Sequence, residues 1–257
     1  TVLNQKKNNF YWIIVIIILF LLISFTYLRY AEFTYESTAK IEIIDKAQDS
    51  EMALPTAMTI FNRSMINLEN EIGVLQSQSI HSKVISELNY NISYYTFGLI
   101  KTTENHKSEW YADYKLELKS DIEDFDYNIF DIEIVDNRLI IYVIDKSDSI
   151  IRTYQFNELS TYNKSTDLPF NLDIKKTNNN LKRRVVFNNV KKTAKQFSKM
   201  VNIKPSGNES DQLTLNIIHP NIQIAEEYLN TLINVFDNDG IKDRQLEYKR
   251  TMDFVDS

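Results

Sequence analysis

The chain has no cysteine, and only four glycines, four prolines and three histidines in 257 residues. Without cysteine there is neither a disulfide nor a thiolate metal site; the lack suits a compartment that oxidises thiols, and is common in the cytosol as well. The glycines, Gly73, Gly98, Gly207 and Gly240, are too scattered to build a G-x-x-x-x-G-K phosphate loop, so no nucleotide site is expected. A G-x-S-x-G nucleophile elbow is missing too. His81, His106 and His219 lie far apart and in no metal-ligand spacing such as H-E-x-x-H, which assigns them structural or surface roles. Carboxylates are plentiful, but nothing marks two of them as a glycosidase pair. No catalytic, cofactor-binding or metal-binding residue is therefore expected in this chain.

One long apolar run is present. FYWIIVIIILFLLISFTYL, Phe10 to Leu28, spans about 28 Å as a helix, close to the thickness of a bilayer's hydrocarbon core. A signal-peptide core is shorter and ends at a small-residue cleavage site, whereas this run ends in Tyr27, Leu28, Arg29 and Tyr30; it reads as a retained membrane helix. Lys6 and Lys7 precede it while Arg29, Lys40 and Lys46 follow, so charge alone leaves its orientation open. The chain starts with Thr1 instead of Met and stops at Ser257 inside what reads as a continuing helix, which predicts a fragment.

The net charge of -6 argues against a general nucleic-acid binder. It is unevenly spread. Leu181 to Lys204 carries Lys182, Arg183, Arg184, Lys191, Lys192, Lys195, Lys199 and Lys204 with no acid, whereas acids such as Asp121, Glu123, Asp131, Glu133 and Asp136 dominate Lys101 to Ile150. Two readings follow: complementary solvated faces, or a basic patch for anionic lipid or anionic glycan.

Past the apolar run, Phe33 to Ile44 alternates as a strand, with Ala39, Ile41 and Ile43 on one face. Ser64 to Leu88 reads as a helix capped by Ser64, weakened at Ser77 to Ser79. Strands are predicted at Tyr114–Lys119, Ile129–Val135, Leu139–Ile144, Ile150–Phe156 and Leu168–Ile174, with a hairpin signal at Asp136-Asn137. Tyr94, Tyr95, Tyr111, Tyr114, Tyr154 and Tyr162 suit packing in such a module, with stacking on sugar rings as the alternative. A helix over Phe187 to Met200 and strands at Val201–Lys204 and Gln212–Ile218 follow. Pro220 then opens a long last helix, whose apolar stripe Leu229, Leu232, Ile233 and Phe236 belongs to a core. Beyond Gly240 that helix is too polar to be buried alone and calls for a partner. The strands on either side of the β-rich stretch are expected to share a sheet.

The segments LENEIGVLQSQSIHSKVISELN, Leu68 to Asn89, and Met200 to Ser257, with Pro220, Ala225, Asn230 and Leu232 at matching positions, resemble the Wzz/Wzc family of polysaccharide co-polymerases, the chain-length determinants of bacterial surface polysaccharides. Gln78 stands where many members have a basic residue. With this resemblance the fold class is α/β (α+β): an N-terminal transmembrane helix, a membrane-proximal α/β domain with an inserted antiparallel β module, and a long C-terminal helix. The divisions are residues 1–30, cytoplasmic tail and membrane helix; 31–96, first part of a periplasmic α/β domain; 97–180, inserted β module; and 181–257, the second part with the long helix. The resemblance implies an inner-membrane protein that regulates chain length and export of a capsular polysaccharide or exopolysaccharide. Its implied partners are further copies in a homo-oligomeric ring, an octamer in this family, together with the polysaccharide polymerase, an outer-membrane export channel and membrane lipid, but no nucleic acid. In Wzc-type members a cytoplasmic tyrosine autokinase follows, so kinase activity, ATP and Mg2+ belong only to a longer protein. Lys242, Arg244, Glu247 and Arg250 are the expected oligomer-interface residues. The alternative is a single-anchor extracytoplasmic sensor or receptor domain.

Overall fold

The computed structural model describes residues 2–31, 33–43, 68–98, 102–111, 114–119, 128–136, 138–156, 168–174, 182–207 and 211–255, and of 2–11, 30, 243–245 and 247–255 the backbone alone. The chain mixes helix and sheet and divides into two units, residues 1–33 and 34–257. The first unit is one apolar helix, α1 (Val2–Tyr30). No glycine or proline interrupts it, and none of the 18 residues from Trp12 to Arg29 is buried by protein. A helix apolar on every side has no aqueous face; this one is long and apolar enough to cross a membrane.

The second unit holds two hydrophobic cores. The first lies against a three-stranded antiparallel sheet in which the central strand β11 (Gln212–His219) pairs with β1 (Tyr35–Glu42) on one side and β10 (Val201–Pro205) on the other. Its register runs from Tyr35 opposite His219 to Glu42 opposite Gln212. Strand alternation sends Leu213, Leu215 and Ile217 to one face with Ala39 and Ile41 of β1. The expected sharing of a sheet by strands at the two ends of the domain is thus met.

Three helices cover that face: α2 (Gln78–Leu88), α4 (Val190–Met200) and α5 (Ile222–Val255). They contribute Val84, Ile85 and Leu88, then Ala194, then Ala225, Tyr228, Leu229 and Leu232; Ile233 and Phe236 pack at the margin. Truncating a buried leucine such as Leu232 to Ala removes about 2–5 kcal/mol.

Sequence periodicity predicts one helix through residue 88, whereas the structure breaks it. Residues 68–75 are helical, Gln76 and Ser77 leave the helix, and the Ser77 hydroxyl accepts the Ile80 N–H at 3.4 Å as the N-cap of α2. A serine that bonds its own downstream backbone competes with the helix it would interrupt. Ser64, the predicted cap, lies outside the described residues. Asn89 closes α2 in the left-handed conformation, φ 55°, its N–H meeting the Ile85 and Ser86 carbonyls.

The other core sits on a six-stranded antiparallel sheet with the order β3 (Thr102–Asn105), β2 (Ile92–Phe97), β9 (Arg183–Phe187), β5 (Ile129–Val135), β6 (Arg138–Ile144) and β7 (Ile150–Phe156). A separate pair, β4 (Tyr114–Leu118) with β8 (Phe170–Ile174), and the short helix α3 (Lys107–Tyr111) complete it. Phe130, Phe170 and Phe187 form a ring cluster with centroids 5.1–5.7 Å apart. All five predicted strands are present. The hairpin at Asp136 is there as well, with Asp136 at φ 49°; Asn137 lies outside the described residues.

The sequence reading missed β9 and began a helix at Phe187. In the structure Phe187 ends a strand, and Asn189 caps α4 two residues later by accepting the Lys192 N–H at 3.2 Å. Arg183, Val185 and Phe187 alternate inward, an ordinary strand pattern disguised by an arginine in a core position. Pro220 likewise does not open α5. It precedes Asn221, whose side-chain oxygen accepts the Gln223 and Ile224 N–H groups at 2.9 and 3.3 Å. From there α5 runs 34 residues, about 51 Å, without interruption.

Candidate functional site

Among the described side chains of α5, Phe236 is the last packed against the hydrophobic cluster, and Asp239 makes a tie to α2 through Lys83, 2.5 Å away. Beyond it Ile241 and Leu246 are exposed, as is Lys242. Arg244, Glu247 and Arg250 follow on the same continuous helix, their side chains outside the described residues.

The described residues also enclose a cleft of about 440 Å³ where the two cores meet. Asn89 and Tyr90 line it from the end of α2, and Ser93, Tyr94 and Tyr95 from β2. Glu104, Asn105, His106 and Lys107 come from the junction of β3 with α3. Asn188, Gln196, Phe197 and Met200 come from α4 and the residues before it. Packing of α2 against α4 and pairing of β2 with β3 bring these distant positions together.

Most polar groups in the wall are already engaged. The Tyr94 and Tyr111 hydroxyls lie 3.2 Å apart, and the Asn105 carbonyl oxygen accepts from Thr96 while its amide donates to Glu109. Burial raises the pKa of Glu104 despite a hydrogen bond from Ser93, and burial raises that of Tyr95. In contrast, the amide side chains of Asn89, Asn188 and Gln196 make no hydrogen bond among the described residues.

Behind the cleft, Glu227 of α5 ties the two cores together. It accepts the Tyr90 hydroxyl at 2.5 Å, lies 2.7 Å from His106 Nε2 and pairs with Lys107 at 3.1 Å. Burial works against its charge, but these three partners outweigh it and lower its pKa. The three histidines all serve contacts within the fold: His106 here, His81 against Tyr228, and His219 accepting the Asn221 N–H. Tyr114 is a core residue, Tyr154 packs at the core's margin and Tyr162 lies outside the described residues. Among the described residues no group of three His, Asp or Glu side chains is placed to hold a metal ion.

The two halves of the basic run fare differently. Asp131, fully buried, takes Arg184 through both oxygens at 2.6 and 3.1 Å and Lys182 at 2.7 Å, while Asp148 lies 2.7 Å from the Arg184 Nη2 that also meets Asp131. Lys191, Lys192, Lys195 and Lys199 on the outer face of α4 are exposed and have no acidic partner among the described residues. Sequence reasoning singled out Tyr94, Tyr95 and Tyr111 but missed Lys107, Asn188 and Gln196, whose only signal is their convergence in space.

No curated protein matches the chain in sequence. Residues 2–88, about a third of the chain, match the family model of Wzz, chain length determinant protein, a family that regulates chain length in polysaccharide synthesis and works in oligomeric assembly complexes.

Proposed function

We propose that this protein is an inner-membrane polysaccharide co-polymerase subunit that regulates the chain length and export of a capsular polysaccharide or exopolysaccharide. The observation that carries the proposal is the family match over residues 2–88, a stretch containing the helix fit to cross a membrane and strand β1. Strand β1 is hydrogen-bonded only to β11 among the described strands, so the matched segment folds by pairing with residues 212–219. The family likeness and the second unit's fold are therefore physically linked.

In this reading α1 anchors the chain, residues from about 32 onward are periplasmic, and the β-rich stretch 97–180 is a module inserted into an α/β domain. Copies assemble as a ring beside the polymerase and an outer-membrane export channel. A ring needs heterologous contacts, one patch against a different one. The polar half of α5, with Lys242, Arg244, Glu247 and Arg250, supplies one side. Exposed Ile241 and Leu246 support this assignment, since apolar side chains on a helix that has left its core gain from a partner. A tyrosine autokinase of the Wzc type, with its ATP and Mg2+, would be carried by a longer protein.

Deleting the gene and sizing the surface polysaccharide by gel electrophoresis tests the proposal. The expected result is loss of the normal length distribution, restored by the gene in trans. An unchanged amount and distribution would overturn it.

A further inference from the structure

We infer that the cleft between α4 and the β2–β3 edge is a binding site for an acidic saccharide, the sugar ring entering the cleft and its carboxylates meeting the lysine row of α4. The inference rests on the polysaccharide reading above for the polymeric character of the ligand; the site itself is argued from its chemistry.

Three amides without a hydrogen-bond partner among the described residues, those of Asn89, Asn188 and Gln196, line the cleft. Each presents a donor and an acceptor side by side, the pattern that neighbouring sugar hydroxyls complement. Between them stand tyrosine and phenylalanine rings, Tyr95 and Phe197 being only half-buried, and Glu104 adds a carboxyl that accepts hydroxyl protons. Flat apolar surface combined with a few aimed polar groups suits a polyhydroxylated ring better than an apolar ligand. The volume, about 440 Å³, lies within the range of small-molecule sites.

The charge argument is independent. Among the described residues, the acidic stretch answers Lys182 and Arg184 through Asp131 and Asp148 and gives the α4 lysines no partner. Lys191, Lys195 and Lys199 stand at successive i, i+4 positions, about 6 Å apart along the axis, where like charges repel. Such a row is stabilised by an anionic partner. It also adjoins the cleft: Gln196 in the cleft wall has Lys192 four positions before it and Lys199 three after, so these are its neighbours on the helix surface.

Calorimetric titration of the full chain, held in nanodiscs of zwitterionic lipid, decides the matter. The probes are oligogalacturonate and a maltooligosaccharide of equal length. Saturable binding of oligogalacturonate, weaker binding of the neutral oligomer, and a loss of at least about tenfold in affinity in both K192E/K199E and Q196A/Y95A are expected. Lys40→Glu, on an exposed position of β1, should leave affinity unchanged. Failure of oligogalacturonate to bind, equal affinity for the neutral oligomer, undiminished binding by either double variant, or an equal loss in Lys40→Glu overturns the inference. So does lysine-dependent binding to anionic vesicles with no oligogalacturonate binding. A protein that still sets polysaccharide length in cells while failing this titration loses the site and keeps the function proposed above.

Discussion

His81 Nδ1 on α2 lies 2.5 Å from the Tyr228 hydroxyl oxygen on α5, with the two rings stacked at 6.0 Å and 9°. Both residues are fully buried, and His81 Nε2 has no hydrogen-bond partner among the described residues. Burial lowers the His81 pKa from 6.5 to about 4, because a charged imidazolium in that core would be poorly solvated.

The native state therefore binds the His81 proton more weakly than the unfolded chain. The resulting stabilisation is complete above about pH 6.5 and is lost as pH falls toward 4, on the order of 3 kcal/mol in all. His219, whose pKa burial also lowers, adds to the same trend. Urea unfolding at pH 7 and pH 4.5 should show a smaller loss in H81L/Y228F than in the wild-type chain. Equal losses would mean that His81 is not neutral when folded.

Asp131 makes a different wager on burial. Its carboxylate is wholly enclosed yet meets Arg184 through two hydrogen bonds and Lys182 through one ion pair. Asp131→Ala leaves both cations without that anion and should cost about 3–5 kcal/mol by urea unfolding. Adding Arg184→Met should recover part of the loss, since the second change removes a cation left with only the exposed Asp148 as its anion. Strictly additive losses would show that the two side chains act independently.

Strand β9 explains why part of this fold was hidden in the sequence. Its neighbours β5 and β6 are legible because Phe130, Ile132 and Ile134, then Leu139, Ile141 and Val143, alternate as apolar core positions. In β9 the inward position belongs to Arg183, stacked 4.9 Å over the Tyr114 ring and only 6 % exposed, so hydropathy assigns a core residue to the surface. The stripe of α5 was legible for the opposite reason, its buried Tyr228, Leu229 and Leu232 being apolar and local. The cleft was not, because Asn89 and Gln196 meet only through packing of α2 against α4, a long-range contact without local periodicity.

The start of α5 tests a smaller term. Asn221 accepts two N–H groups that the helix itself leaves without partners. Asn221→Ala should destabilise the domain by about 1 kcal/mol, whereas Asn221→Asp keeps the acceptor and adds a charge that favours the helix N-terminus. Thermal unfolding should rank the variants Asp at or above Asn and both above Ala. Equal stability of Ala and Asn would place the helix start at Pro220 after all.

The far end of α5 carries the assembly prediction. Among the described side chains, packing against the core ends by Phe236 and the tie to α2 at Asp239, and beyond them Ile241, Lys242 and Leu246 are exposed. Charge reversal there changes the folded domain little, as is usual for sites away from packed features. It should act on assembly instead, because a repulsive pair in a heterologous contact recurs at every interface of a ring. Arg244→Glu and Arg250→Glu are accordingly expected to shift the sedimentation profile of the detergent-solubilised chain toward smaller species, with the thermal midpoint of unfolding of the dissociated chain unchanged. Variants that instead lower that midpoint would place these arginines in the folded core and remove them from the interface.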